Sequence, residues 1–142
     1  MRYKFFFIVF VVAVCVVSCQ KEPKKGEYKG TFTGKYETDY STINYTTNYY
    51  FEVIHSTKKE LRIMEKQSKI TSILKKHEKD SISGSIGFGG IYNPAGNSSV
   101  KFNFIFIQGK NNKTSIMGQF STTFTDGKKD YDSEGNFTIS AY

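Results

Sequence analysis

From Gly26 onward, apolar residues recur at every second position, and this period of two constrains the fold more than any other feature of the chain. Alternation sends successive side chains to opposite faces of an extended strand, whereas a helix needs a period near 3.6. In Tyr28-Lys29-Gly30-Thr31-Phe32-Thr33-Gly34-Lys35-Tyr36, one face reads Tyr, Gly, Phe, Gly, Tyr and the other Lys, Thr, Thr, Lys. A second strand, about 44 to 55, sets Tyr45, Thr47, Tyr49, Phe51 and Val53 on one face. The same reading gives Ile82, Gly84, Ile86, Phe88; Val100, Phe102, Phe104, Phe106; Ile116, Gly118, Phe120, Phe124; and Phe137, Ile139, Ala141. Turn residues separate the segments at Asn93-Pro94-Ala95-Gly96, Gly109-Lys110-Asn111-Asn112 and Thr125-Asp126-Gly127. Short turns between consecutive strands favour an antiparallel meander.

Residues 56 to 80 admit two readings. Thr57 and Glu60 have the spacing of a helix capping box, and Lys, Glu, Leu, Arg and Met favour helix. Against this, Leu61 and Ile63 alternate with charged residues, and Gln67-Ser68 offers a turn into a strand at 69 to 76. Two strands is the favoured reading. It brings the total to about eight, enough to close a small up-and-down barrel and leave no exposed sheet edge. The expected fold is therefore all-β over residues 27–142.

A pattern of large-x-Gly-x-large recurs at Tyr28-Gly30-Phe32, Ile82-Gly84-Ile86 and Ile116-Gly118-Phe120, with Gly on the apolar face each time. Glycine weakens a strand, so its repeated use there points to strong coiling or close approach of another group. Small and large inward residues can together fill a barrel; alternatively, the glycines clear space for a ligand. Filling is favoured, because many Phe and Tyr residues compete for the interior. The stretch Gly30-Thr-Phe32-Thr-Gly34-Lys-Tyr36, after Gly26-Glu-Tyr28, is similar to the first strands of lipocalin-like and avidin-like barrels. That resemblance implies a barrel and raises the expectation of a small lipophilic ligand. The chain has no Trp, so neither the lipocalin tryptophan nor the biotin-stacking tryptophans of avidin-like proteins are present.

The amino-terminal segment carries a different signal. Arg2 and Lys4 precede an apolar run, Phe5 to Val17, that is shorter than the roughly 20 residues of a membrane span. Residues 1–18 therefore read as a signal peptide. Val16-Val17-Ser18-Cys19 resembles the lipobox of bacterial lipoproteins, with small Ser18 directly before the cysteine. The resemblance implies cleavage between Ser18 and Cys19, a diacylglyceryl thioether on Cys19, and acylation of its new amino group. One acyl chain anchors only marginally, whereas two or three hold a protein at the membrane. Cysteine usage agrees: the sequence has two cysteines, and Cys15 leaves with the leader. A single free thiol in an oxidising compartment is a liability; a lipidated one is not. Gln20-Lys21-Glu22 resembles the charged export signal of Bacteroidota surface lipoproteins, which implies outer-membrane attachment with the cell surface favoured over a periplasm-facing position. Residues 19–26 read as the lipidated cysteine and a flexible tether.

Residues with catalytic chemistry are sparse. Ser83-Gly84-Ser85-Ile86-Gly87 lacks the first glycine of a nucleophile elbow, and Gly87-Phe88-Gly89-Gly90 is too short for a phosphate loop. His55 and His77 have no companions at zinc-ligand spacing. Asp130-x-Asp132-x-Glu134-Gly135 resembles the first half of a calcium loop, but Ala141 stands where the bidentate acid belongs. A polar hairpin loop is the favoured reading of that stretch. The formal charge of +7 is spread in short lysine pairs rather than as a basic stripe with interleaved aromatics, so nucleic acid is not an expected partner. Together these features predict an envelope lipoprotein without catalytic activity or cofactor. It would act as a binding module for a protein or a small lipophilic molecule, or as an inhibitor of a host or competitor enzyme. The strand near 98 to 108 is apolar on both faces, which marks one face as a candidate contact surface.

Overall fold

The structure, a computed structural model, describes residues 26–89, 102–112, 114–125 and 129–142, with Phe124 and Thr125 described by backbone alone. Eight antiparallel strands follow in chain order: β1 (Gly26–Glu37), β2 (Thr42–Ser56), β3 (Glu60–Glu65), β4 (Thr71–Lys76), β5 (Ser81–Gly87), β6 (Phe104–Asn111), β7 (Ser115–Thr125) and β8 (Asp130–Ala141). Each pairs with the next, and β1 also pairs with β8, so the sheet closes into an up-and-down barrel. One 3-10 turn, Glu78–Asp80, leads into β5. The ambiguous segment 56 to 80 is two strands, β3 and β4, paired from Glu60↔Lys75 to Met64↔Thr71.

Local chemistry explains why that segment is not a helix. Thr57 Oγ1 accepts the N–H groups of Lys59 (3.2 Å) and Glu60 (3.1 Å), so the residues that resemble a helix cap instead close the β2–β3 hairpin. At the next turn the buried Glu65 carboxylate accepts from Gln67 N (3.0 Å) and Ser68 N (2.6 Å). Lys69 takes a left-handed φ of 62° to complete that turn, which delays β4 to Thr71. Asn112 Oδ1 performs the same service at the β6–β7 connection, accepting from Thr114 N (2.9 Å) and Ser115 N (2.8 Å). The turn thus begins at Asn112, and Gly109 to Asn111 belong to β6.

The interior is filled. Phe32 sits at its centre, fully buried, with the rings of Tyr49, Phe51, Phe88, Phe102, Phe120 and Phe137 at centroid distances of 5.6 to 6.4 Å. Five of these contacts are edge-to-face and the one with Phe137 is stacked, the arrangements that ring quadrupoles favour. Tyr28, Tyr45 and Val53 join the core, as do the aliphatic side chains of Leu61, Ile63, Leu74, Ile82, Ile86, Ile105, Ile107, Ile116 and Ile139. Gly30 clears room for this packing: a Cβ there would lie 2.6 Å from Phe51 Cε2 and 2.9 Å from Phe32 Cε2. At Gly30 the missing Cβ therefore makes space for aromatic rings rather than for a ligand, whereas Gly84 faces Leu74 and Gly118 faces the backbone of β6.

Two expectations about side-chain direction are corrected. Phe104 and Phe106 point outward, 47% and 57% exposed, and Ile105 and Ile107 take the inner positions. The alternation slips after buried Phe102, because Asn103 and Phe104 both face out; Phe88 N bonds Asn103 O (2.8 Å) where the chain enters the sheet. Ala141, expected inward, is exposed at the end of β8. Val100, the Asn93–Gly96 turn and Asp126-Gly127 lie outside the described residues, as do Ser18, Cys19 and Gln20-Lys21-Glu22.

Candidate functional site

With the interior filled, a concavity among the described residues lies on the outer wall. It is a groove of about 780 Å³, within the range of roughly 300–1,000 Å³ typical of ligand sites. The groove crosses β5, β6, β7, β8, β1 and β2, and paired glycines shape it. Gly109 opposes Gly118, and Gly135 opposes Gly34. A Cβ on Gly118 would overlap the Gln108 carbonyl oxygen and lie 2.5 Å from Gly109 Cα; one on Gly135 would overlap the Thr33 carbonyl oxygen. Strands that approach so closely can bend sharply, and such glycine kinks are the usual source of local curvature in barrels.

Across these strands the outward side chains stand in register. Cross-strand pairing runs Ser83↔Gln108, Gln108↔Gln119, Gln119↔Asn136, Asn136↔Thr33 and Thr33↔Thr46. Neighbours in such a row lie roughly 5 Å apart, about one strand spacing. Two residues on, a second row runs Phe106↔Ser121, Ser121↔Glu134, Glu134↔Lys35 and Lys35↔Asn44. Among the described residues, Lys35 and Glu134 are the charged ones lining the groove, and they stand opposite one another with opposite signs. The floor is thus close to neutral, rich in amides and hydroxyls, and carries one exposed ring, Phe106. No hydrogen bond joins the side-chain amides of Gln108, Gln119 or Asn136 to another described residue. Three hydroxyls toward the ends of the first row are held: Thr33 and Thr46 bond each other at 3.2 Å, and Ser83 bonds His77 Nε2 at 2.8 Å.

Behind the groove, hydrogen bonds tie β8 to β1 and β2. Ser133 Oγ donates to Lys35 O (2.8 Å), and Tyr45 donates its hydroxyl to Ser133 Oγ (2.6 Å). Burial pushes the Tyr45 hydroxyl up to about 12. Tyr49 is also pushed up to about 12 by burial; its hydroxyl faces the Phe102 backbone without completing a hydrogen bond.

The structure places Asp130, Asp132 and Glu134 along the outer face of β8, inside a strand rather than in a wrapping loop. Asp132 Oδ1 accepts from Thr123 Oγ1 (2.8 Å), and Glu134 lines the groove. Among the described residues, no three His, Cys, Asp or Glu side chains converge as a metal site. His55 and His77 are both exposed. The groove residues Thr33, Gln108, Gln119 and Asn136 escape a search of the sequence for chemistry, because Thr, Asn and Gln are ordinary outward strand residues. Their alignment depends on the pairing register, which sequence spacing alone does not reveal.

No protein-family model, curated protein or solved structure matches the chain. No helix among the described residues is long and apolar enough to cross a membrane.

Proposed function

We propose that the protein is a bacterial envelope lipoprotein, held at the outer membrane by lipid on Cys19, whose barrel acts as a non-catalytic binding module. The observation that carries this reading is the run Val16-Val17-Ser18-Cys19 after a positively charged, apolar leader. The filled interior supports binding on the outer wall rather than inside the barrel, and so disfavours a carrier of lipophilic molecules. Gln20-Lys21-Glu22 supports display on the cell surface. The test is fractionation and protease shaving of intact cells expressing wild type or Cys19→Ala. Membrane association should disappear in the variant, and the wild-type barrel should be cut by external protease. Unchanged fractionation of Cys19→Ala would defeat the anchor; a protected wild-type barrel would place it facing the periplasm.

A further inference from the structure

We propose that the outer-wall groove binds an uncharged carbohydrate chain. The inference deepens the binding-module reading and rests on it, but it does not depend on the lipid anchor. Three features of the groove point to this class. First, its floor is polar yet nearly neutral: Lys35 faces Glu134 as a direct cross-strand pair, so neither a polyanion nor a polycation meets a complementary field. Second, the amides of Gln108, Gln119 and Asn136 form an unbroken row across β6, β7 and β8. Each side-chain amide offers two N–H donors and a carbonyl acceptor, the mixed set that matches hydroxyl groups, which both donate and accept. An acidic or phosphorylated ligand would want donors alone, and a fatty acyl chain would want neither.

Third, Phe106 stands at the side of the same groove with more than half its surface exposed. Its flank meets Phe104 edge-to-face at 5.9 Å. An exposed aromatic face suits the C–H face of a pyranose ring, while its hydroxyls reach the amide row. The strand spacing of about 4.8 Å sets the amides at intervals comparable with successive groups along a sugar chain. The groove spans six strands, so it accommodates an extended oligosaccharide rather than one monosaccharide.

The experiment is a glycan array of neutral, sialylated and sulfated oligosaccharides, probed with the full-length protein and with Phe106→Ala, Gln119→Ala and Tyr40→Ala. Phe106 and Gln119 are outward-facing, and each variant is first checked by its melting curve. The expected result is binding to one or more neutral oligosaccharides, weakened about tenfold by Phe106→Ala. Gln119→Ala should weaken it about threefold or more, and Tyr40→Ala, in the β1–β2 turn and 97% exposed, should leave it unchanged. Three results would each overturn the proposal: no neutral glycan bound, binding confined to sialylated or sulfated glycans, or neutral-glycan binding unaffected by Phe106→Ala and Gln119→Ala. None of these results alters the fractionation of Cys19→Ala, so the anchor and the groove stand or fall separately.

Discussion

The substitution Gly118→Ala tests the close strand approach that shapes both the barrel wall and its groove. A Cβ at this position would overlap the Gln108 carbonyl oxygen and lie 2.5 Å from Gly109 Cα and 2.9 Å from Gln108 C. All three obstacles are backbone, so no side-chain rotation relieves them. The β6–β7 ladder must open around the Gly109↔Gly118 pair instead. Losing two ladder hydrogen bonds and straining their neighbours costs roughly 2–4 kcal/mol. Alanine narrows the unfolded ensemble and returns about 0.5–1 kcal/mol. The net loss is roughly 1–3.5 kcal/mol, or a Tm lower by roughly 4–14 °C for a domain of this size. Gly30→Ala is the comparison. Its obstacles are the ring edges of Phe51 and Phe32, which can tilt, so the loss should be smaller. Thermal melts followed by circular dichroism read both variants. A Gly118→Ala protein as stable as wild type would refute the close approach of β6 and β7, and with it the origin of the groove's bend.

Three further outcomes follow from the core and the surface. Phe32→Ala removes the ring that six other aromatics surround and should cost about 3–5 kcal/mol, read as a lower urea midpoint; a loss below about 1 kcal/mol would mean the centre is not packed as described. The Tyr45 and Tyr49 hydroxyls, raised to about 12 by burial, bind their protons more tightly folded than unfolded. Their contribution is complete below the unfolded value near 10 and is lost as pH rises through about 12. Denaturant melts should therefore weaken across that window, and Tyr45→Phe should flatten part of the decline; an undiminished decline in Tyr45→Phe would remove Tyr45 from the explanation. Millimolar calcium should leave the melting curve unchanged, since Asp130, Asp132 and Glu134 line the face of a strand; a clear rise in Tm would assign them a cation.

Most of the fold was legible because eight short segments each bury one face. Tyr28, Phe32, Tyr45, Phe51, Ile82, Ile86, Ile116 and Ile139 all point inward as alternation requires. The β3–β4 hairpin was legible too, since Leu61 and Ile63 alternate with Glu60, Arg62 and Met64. Failure came at β6, where Phe104, Ile105, Phe106 and Ile107 are apolar in succession and alternation cannot choose a face. The irregular entry at Asn103 decided the register, and nothing in the residue types announces it. Thr57 and Glu60 gave a true capping signal on the wrong element, because the same side-chain bonds close a helix turn or a hairpin. The glycine repeat was read correctly as a packing device, yet its outer consequence was hidden. Gly118 and Gly135 bend the wall on which Gln108, Gln119 and Asn136 align, and only the register joins those residues into one row.

The central claim is that this barrel is solid and that its binding surface is the outer wall. Methyl NMR of the isoleucine-labelled protein, titrated with oleate as a lipophilic probe, tests it directly. The account predicts that the inner methyls of Ile63, Ile86, Ile107 and Ile116 keep their shifts throughout the titration. Saturable shifts at those inner methyls would reveal a ligand among the rings around Phe32 and would contradict a filled interior.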